Sequence, residues 1–62
     1  MMSKWIVVEF KFDGSARVLD GEYDTWDEAC EVQEAMEWIH GENSYLIYTN
    51  DEWMYEVENG KV

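Results

Sequence analysis

The segment from Trp5 to Phe12 alternates strictly, with Ile6, Val8, Phe10 and Phe12 on one side and Trp5, Val7, Glu9 and Lys11 on the other. A period of two is the signature of a strand, here with one apolar and one mixed face. Asp13-Gly14 ends the run, and Asp-Gly between extended segments signals a hairpin because glycine accepts the positive φ of a tight turn. Ser15 to Asp20 returns as a second strand. A loop of two or of three residues fits, which leaves open whether Val18 or Leu19 turns toward the core. The chain therefore begins as an antiparallel sheet, and with 62 residues in all it buries only about 60% of its unfolded surface on folding. That is room for one sheet and one helix.

The helix is the next strong signal. Gly21 closes the second strand, Thr25 stands at an N-cap position with Glu28 three residues on, and early carboxylates suit the positive end of a helix dipole. The spacing predicts a helix from Trp26 to Ile39 with Gly41 as a left-handed stop. At 100° per residue Ala29, Val32, Met36 and Ile39 share one face, flanked by Ala35 and Trp26, and this face should pack on the sheet. Ser44 to Thr49 is rich in β-branched and aromatic residues, Asn50-Asp51 offers a turn, and Trp53 to Glu58 alternates again. These read as strands three and four, followed by an Asn59-Gly60 turn and a frayed end. The expectation is a single α+β domain over residues 1–62: an antiparallel four-stranded sheet with one helix packed on one face, ββαββ, and the opposite sheet face largely uncovered.

Charge then limits what such a body can do. Fifteen Asp and Glu stand against four cations, Lys4, Lys11, Arg17 and Lys61, for a formal charge of −11. From Val18 to Gly60 there are thirteen carboxylates and no Lys or Arg. Such a chain repels phosphates, which argues against direct binding of nucleic acid or an anionic membrane. With 47% hydrophobic and 16% aromatic residues it carries core-forming material that an acidic disordered tail lacks. Cys30 is the only cysteine and His40 the only histidine, so neither an internal disulfide nor a Cys/His metal site can be assembled. The apolar run Ile6 to Val8 is too short for a signal-peptide core or a membrane span, and a cytoplasmic location is expected.

On the helix face opposite the core, Asp27, Glu31, Glu34 and Trp38 follow at i+4, i+3 and i+4, a row with neighbours about 5–6 Å apart. Glu37 widens it. A helix from Trp26 to Ile39 spans about 21 Å, over which one DNA strand carries roughly six phosphates at about 3.4 Å per charge. The helix carboxylates, Glu28 included, approach that line density. Any amphipathic helix exposes a charged face, but an ordinary one mixes signs, whereas this one accepts like-charge repulsion along its length. An exposed tryptophan in the row adds the apolar area typical of an interaction hot spot. Asp20, Glu22 and Asp24 extend the acidic surface just before the helix. An acidic surface also arises by adaptation to concentrated salt, and Trp5, Trp53 and Tyr55 can equally fill a small core or line the open sheet face.

Other chemistry finds little support. Asp20, Glu22, Asp24, Glu28 and Glu31 match positions one, three, five, nine and twelve of a calcium loop, but Thr25 occupies the position that requires glycine. Negative neighbours raise the Cys30 thiol pKa and quiet it. His40 suits a helix C-terminus. The carboxylates lack a concave site to separate their pKa values. Neither an enzyme nor a cofactor or metal is expected.

The segment from Trp5 to Glu34, with Trp5-Ile6-Val7-Val8-Glu9, Tyr23-Asp24-Thr25-Trp26-Asp27-Glu28-Ala29, Glu31 and Glu34, resembles very small acidic bacteriophage inhibitor proteins with a ββαβ core, among them inhibitors of bacterial RNA polymerase. The resemblance implies a phage-encoded binder that disables a host enzyme by occupying its working surface. The leading expectation is a DNA mimic that presents Asp27, Glu31, Glu34, Glu37 and Trp38, helped by Asp20, Glu22 and Asp24, to the basic groove of a host nucleic-acid-binding protein. The alternative is an interaction module using exposed aromatics on the open sheet face or edge, with acidity serving solubility. A homodimer through the uncovered face is compatible with either reading.

Overall fold

A computed structural model describes residues 4–60. Met1, Met2, Ser3, Lys61 and Val62 lie outside the described residues, and with them the frayed end expected after Gly60. The elements are β1 (Trp5–Phe10), β2 (Ala16–Val18), α1 (Trp26–Ile39), β3 (Ser44–Thr49) and α2 (Asn50–Glu58). The sheet is three-stranded and antiparallel, in the order β2-β1-β3.

The hairpin closes through a three-residue loop, Phe12 to Gly14. The Lys11 N–H donates to the Ser15 carbonyl (2.9 Å) and the Gly14 N–H to the Lys11 carbonyl (3.0 Å), with Gly14 at φ 94°. A type I turn followed by a left-handed glycine adds one residue to the loop and fixes the register. Val8 thus pairs with Val18 and Glu9 with Arg17. Leu19 packs against the core while Val18 stays exposed.

The predicted four-stranded sheet with one helix is overturned at the C-terminal end, where Asn50–Glu58 is the helix α2 and not a strand. The cause is a complete capping box. Thr49 Oγ1 accepts the Glu52 N–H (3.1 Å) and Glu52 Oε1 accepts the Thr49 N–H (2.9 Å), so the pair starts a helix where Asn50-Asp51 had suggested a turn. Period-two alternation over so short a run cannot outweigh a satisfied cap.

That helix changes what the sheet buries. Trp5, Val7 and Glu9 of β1, with Leu19, Tyr45 and Ile47 beside them, face α1, whose Ala29, Val32 and Met36 complete the core around Val7 and Tyr45. The other side of β1 carries Ile6, Val8 and Phe10, and α2 lies over it through Trp53, edge-on to Phe10 (6.2 Å between centroids) and tilted against Tyr48 (5.4 Å). The face expected to be uncovered is therefore covered by a helix. With both faces packed, Ile6, Val7, Val8 and Glu9 are buried in unbroken succession, the mark of a central strand between two layers.

Helix α1 matches its expected limits, capped by Thr25, whose Oγ1 accepts the Glu28 N–H (3.2 Å). Its last turn diverges from expectation. Ile39 and Ala35 are exposed, and positive φ occurs at Gly14, Gly21 and Gly60 but not at Gly41. The helix ends instead on the His40 N–H, which donates to the Met36 carbonyl (2.7 Å).

Gly21 has the most demanding turn. It sits at φ 106°, and a Cβ there would lie 3.2 Å from the Tyr23 hydroxyl oxygen. Tyr23 exchanges two backbone hydrogen bonds with Trp5 (2.8 Å each), which docks the β2–α1 connection on the sheet. Gly21→Ala is expected to cost about 1–2 kcal/mol, read as a lower urea midpoint at unchanged m.

Candidate functional site

Burial of Ala29 fixes the rotation of α1 and turns Asp27, Glu31, Glu34, Glu37 and Trp38 to solvent. The predicted row is thus brought together on one helix face. Trp38 is 89% exposed, more than packing alone would leave an indole that had any core to join. Cys30 lies beside the row. Burial, then Glu34 and Asp27, push its thiol above its ordinary pKa, so it stays protonated and unreactive. No basic residue occupies the last turn of α1, and the nearest ionisable group past its end, His40, has its Nδ1 3.8 Å from Glu42 Oε1.

Asp20, Glu22 and Asp24 are placed differently. All are exposed in the connection between β2 and α1, but two of them are tied into the frame. Asp24 forms an ion pair with Lys4, and Glu22 accepts a hydrogen bond from the Asn50 side chain at the start of α2. The Lys4 ammonium is held above its ordinary pKa by the Asp24 hydrogen bond and charge, with Glu22 and Glu28 adding to it. One cation of the first strand's entry therefore reaches the acidic connection. The uncompensated row begins only at Asp27.

Two features escape the sequence reading. The first is a second acidic layer. Asp51, Glu52, Glu56 and Glu58 lie on α2, across the sheet from α1, and the Thr49-x-x-Glu52 capping pattern is the signal that could have revealed it. The second is Glu9, which is only 3% exposed although it is a carboxylate in the central strand. The Tyr45 hydroxyl donates to its Oε2 at 2.5 Å and the Asn43 amide at 3.3 Å, while Arg17 Nη2 stands 3.4 Å from Oε1. The Tyr45 hydrogen bond lowers the Glu9 pKa against the opposing effect of burial, with Arg17 and Asn43 assisting. Tyr45 is raised in turn, first by burial and then by Glu9. Gln33 of α1 donates to the Tyr45 carbonyl (2.6 Å), so this polar cluster also fixes α1 to the sheet.

The aromatics are apportioned by the same packing. Trp5 and Tyr23 join the α1 core, Phe10, Tyr48 and Trp53 pack between sheet and α2, and Phe12, Trp26, Trp38 and Tyr55 remain exposed. Among the described residues no helix is long and apolar enough to cross a membrane. The arrangement offers ordered negative charge beside a protruding indole, held on a rigid helix. No protein-family model, curated protein or solved structure matches this chain.

Proposed function

We propose that this chain is a small acidic inhibitor of phage type that occupies the basic nucleic-acid-binding surface of a host protein in the cytoplasm, acting as a mimic of DNA. CRISPR effectors, restriction and repair enzymes and RNA polymerase have surfaces of that kind. The observation that carries the reading is the outer row of α1, where Asp27, Glu31, Glu34 and Glu37 lead to the exposed Trp38 with no Lys or Arg in the helix. A groove built to hold phosphates is steered onto such a row at high rate, and the indole supplies a desolvated anchor that charge alone lacks. The resemblance of Trp5 to Glu34 to small phage inhibitors adds support, since the first four elements run ββαβ.

A second reading, an acidity that serves solubility, is favoured by one observation, the second set of carboxylates on α2. Salt separates the two. With the chain as bait in a bacterial lysate, mimicry releases nucleases, repair enzymes or polymerase subunits at moderate salt. Retention that is unchanged between low and high salt would overturn it. Trp38→Ala is expected to weaken binding of the captured protein by about 2 kcal/mol, roughly thirtyfold, while the urea midpoint stays in place because the ring is almost wholly solvated.

A further inference from the structure

On the other side of the sheet, Tyr48, Asp51, Glu52, Tyr55 and Glu56 line an open hollow of about 390 Å3 between β3 and α2. Asp51, Glu52, Tyr55 and Glu56 fall at i, i+1, i+4 and i+5, on one side of α2, and Tyr48 supplies the wall from the strand. The lining combines carboxylates with two phenol rings and contains no cation. Two of its walls are held by contacts outside the hollow. Trp53 packs against the Tyr48 ring, and the capping box pins Glu52 through Thr49. Groups that are already ordered lose little entropy when a ligand arrives.

The lining selects its ligand. Carboxylates repel an anion, and a neutral apolar group would strip them of water without replacing it. A hard metal ion needs several carboxylates converging at bonding distance, and among the described residues no group of His, Cys, Asp and Glu side chains is arranged to hold one. A flat organic cation meets every demand. Its charge pairs with the carboxylates, its face stacks on a phenol ring, and its N–H groups match a carboxylate in pairs. Burial, then Glu56 and Glu52, raise the Tyr48 pKa, so the ring remains a neutral, electron-rich surface.

We propose that this hollow receives the guanidinium of an arginine side chain presented by a partner protein. It is a contact surface separate from the α1 row and on the opposite layer, and it stands whether or not that row mimics nucleic acid. The test is an NMR titration of the intact chain with acetyl-arginine amide at low salt, run beside acetyl-lysine amide and the uncharged isostere acetyl-citrulline amide. The arginine probe is expected to shift the Tyr48 and Tyr55 ring signals and the α2 amides saturably, more tightly than lysine, with citrulline inert. Tyr55→Leu should weaken it about three- to fivefold and Tyr55→Phe should preserve it, since the ring face is the contact. Lysine at Asp27, Glu31 and Glu34 should leave it in place, which separates failure here from failure of the α1 reading. Equal shifts along α1 and α2 for arginine and lysine, binding of citrulline as tight as arginine, or no shift at millimolar probe would each overturn the proposal. The comparison of the three probes on the unmodified chain decides it even if a Tyr55 variant misfolds.

Discussion

Replacing Asp27, Glu31 and Glu34 together with lysine is expected to abolish binding to the basic target while the domain stays folded. All three side chains are exposed on α1, so the substitutions remove no packing. Two opposing effects act on the helix. Loss of Asp27 from the first turn forfeits a favourable dipole interaction of about 0.3–1 kcal/mol, and the three lysines still repel one another. The new i,i+3 pairs with Glu28 and Glu37 return about 0.2–0.5 kcal/mol each. The net stability change is therefore small. At the interface the same residues switch from attraction to juxtaposed like charge, which costs several kcal/mol, so the affinity loss should reach about a thousandfold or more. The control is an equal number of lysines placed elsewhere, at Asp13, Glu42 and Glu58, which are exposed and lie outside both the α1 row and the α2 hollow. Mimicry predicts that only the α1 variant loses binding in a competition assay against DNA. Equal loss in both would reduce the row to bulk charge, and full binding in the α1 variant would remove it from the interface altogether.

The largest effect on stability is expected from Tyr45→Phe. The substitution keeps the ring in the core but deletes the hydroxyl that donates to Glu9 Oε2 at 2.5 Å, leaving that buried oxygen with the longer Asn43 hydrogen bond of 3.3 Å. A buried acceptor deprived of its donor costs about 1–3 kcal/mol. Domains of this size rarely exceed about 3–5 kcal/mol in total stability, so the loss is a large share, and Tm should fall by about 4–8 °C per kcal/mol. The pH profile identifies the cause. Glu9 is depressed below its ordinary 4.5, so its contribution is complete above that pH and is lost as pH falls through the folded value. Tyr45 is raised above its ordinary 10.0, so its contribution is complete below that pH and is lost as pH rises through the folded value. Stability should be level between these limits and decline on both sides. In Tyr45→Phe the alkaline decline from this residue disappears and the acid decline flattens. An unchanged acid limb in that variant would show that the hydrogen bond does not govern Glu9.

Where the sequence could be read, the reason is local. Asp13-Gly14 and the alternation before it set the hairpin, and Thr25 with the Ala29-Val32-Met36 face set α1 together with its outer row. Where it misled, two local signals competed. Trp53, Tyr55 and Val57 alternate like a strand, while Thr49 and Glu52 cap a helix, and only the reciprocal bonds of the cap decide between them. The consecutive Ile6, Val7 and Val8 held a second clue: apolar residues on both sides of β1 imply cover on both sides, and a helix is what supplies the second layer. Glu9 was not legible as a buried group because its partners, Tyr45 and Asn43, are far away in sequence and meet it only through the β1–β3 register.

The two helices differ in how firmly they are held. Helix α1 contributes a fully buried residue to the core, whereas α2 contributes none and rests on Trp53, the Thr49 cap and the Asn50 contacts to Lys4 and Glu22. An element with so little buried surface is expected to open as a unit before the rest of the domain, read as α2 amides that exchange hydrogen faster than those of β1. When it does, Ile6, Val8 and Phe10 face water together on a strand that remains paired on both edges. In that open form the apolar sheet face would invite association, and the mutual repulsion of chains at −11 opposes it.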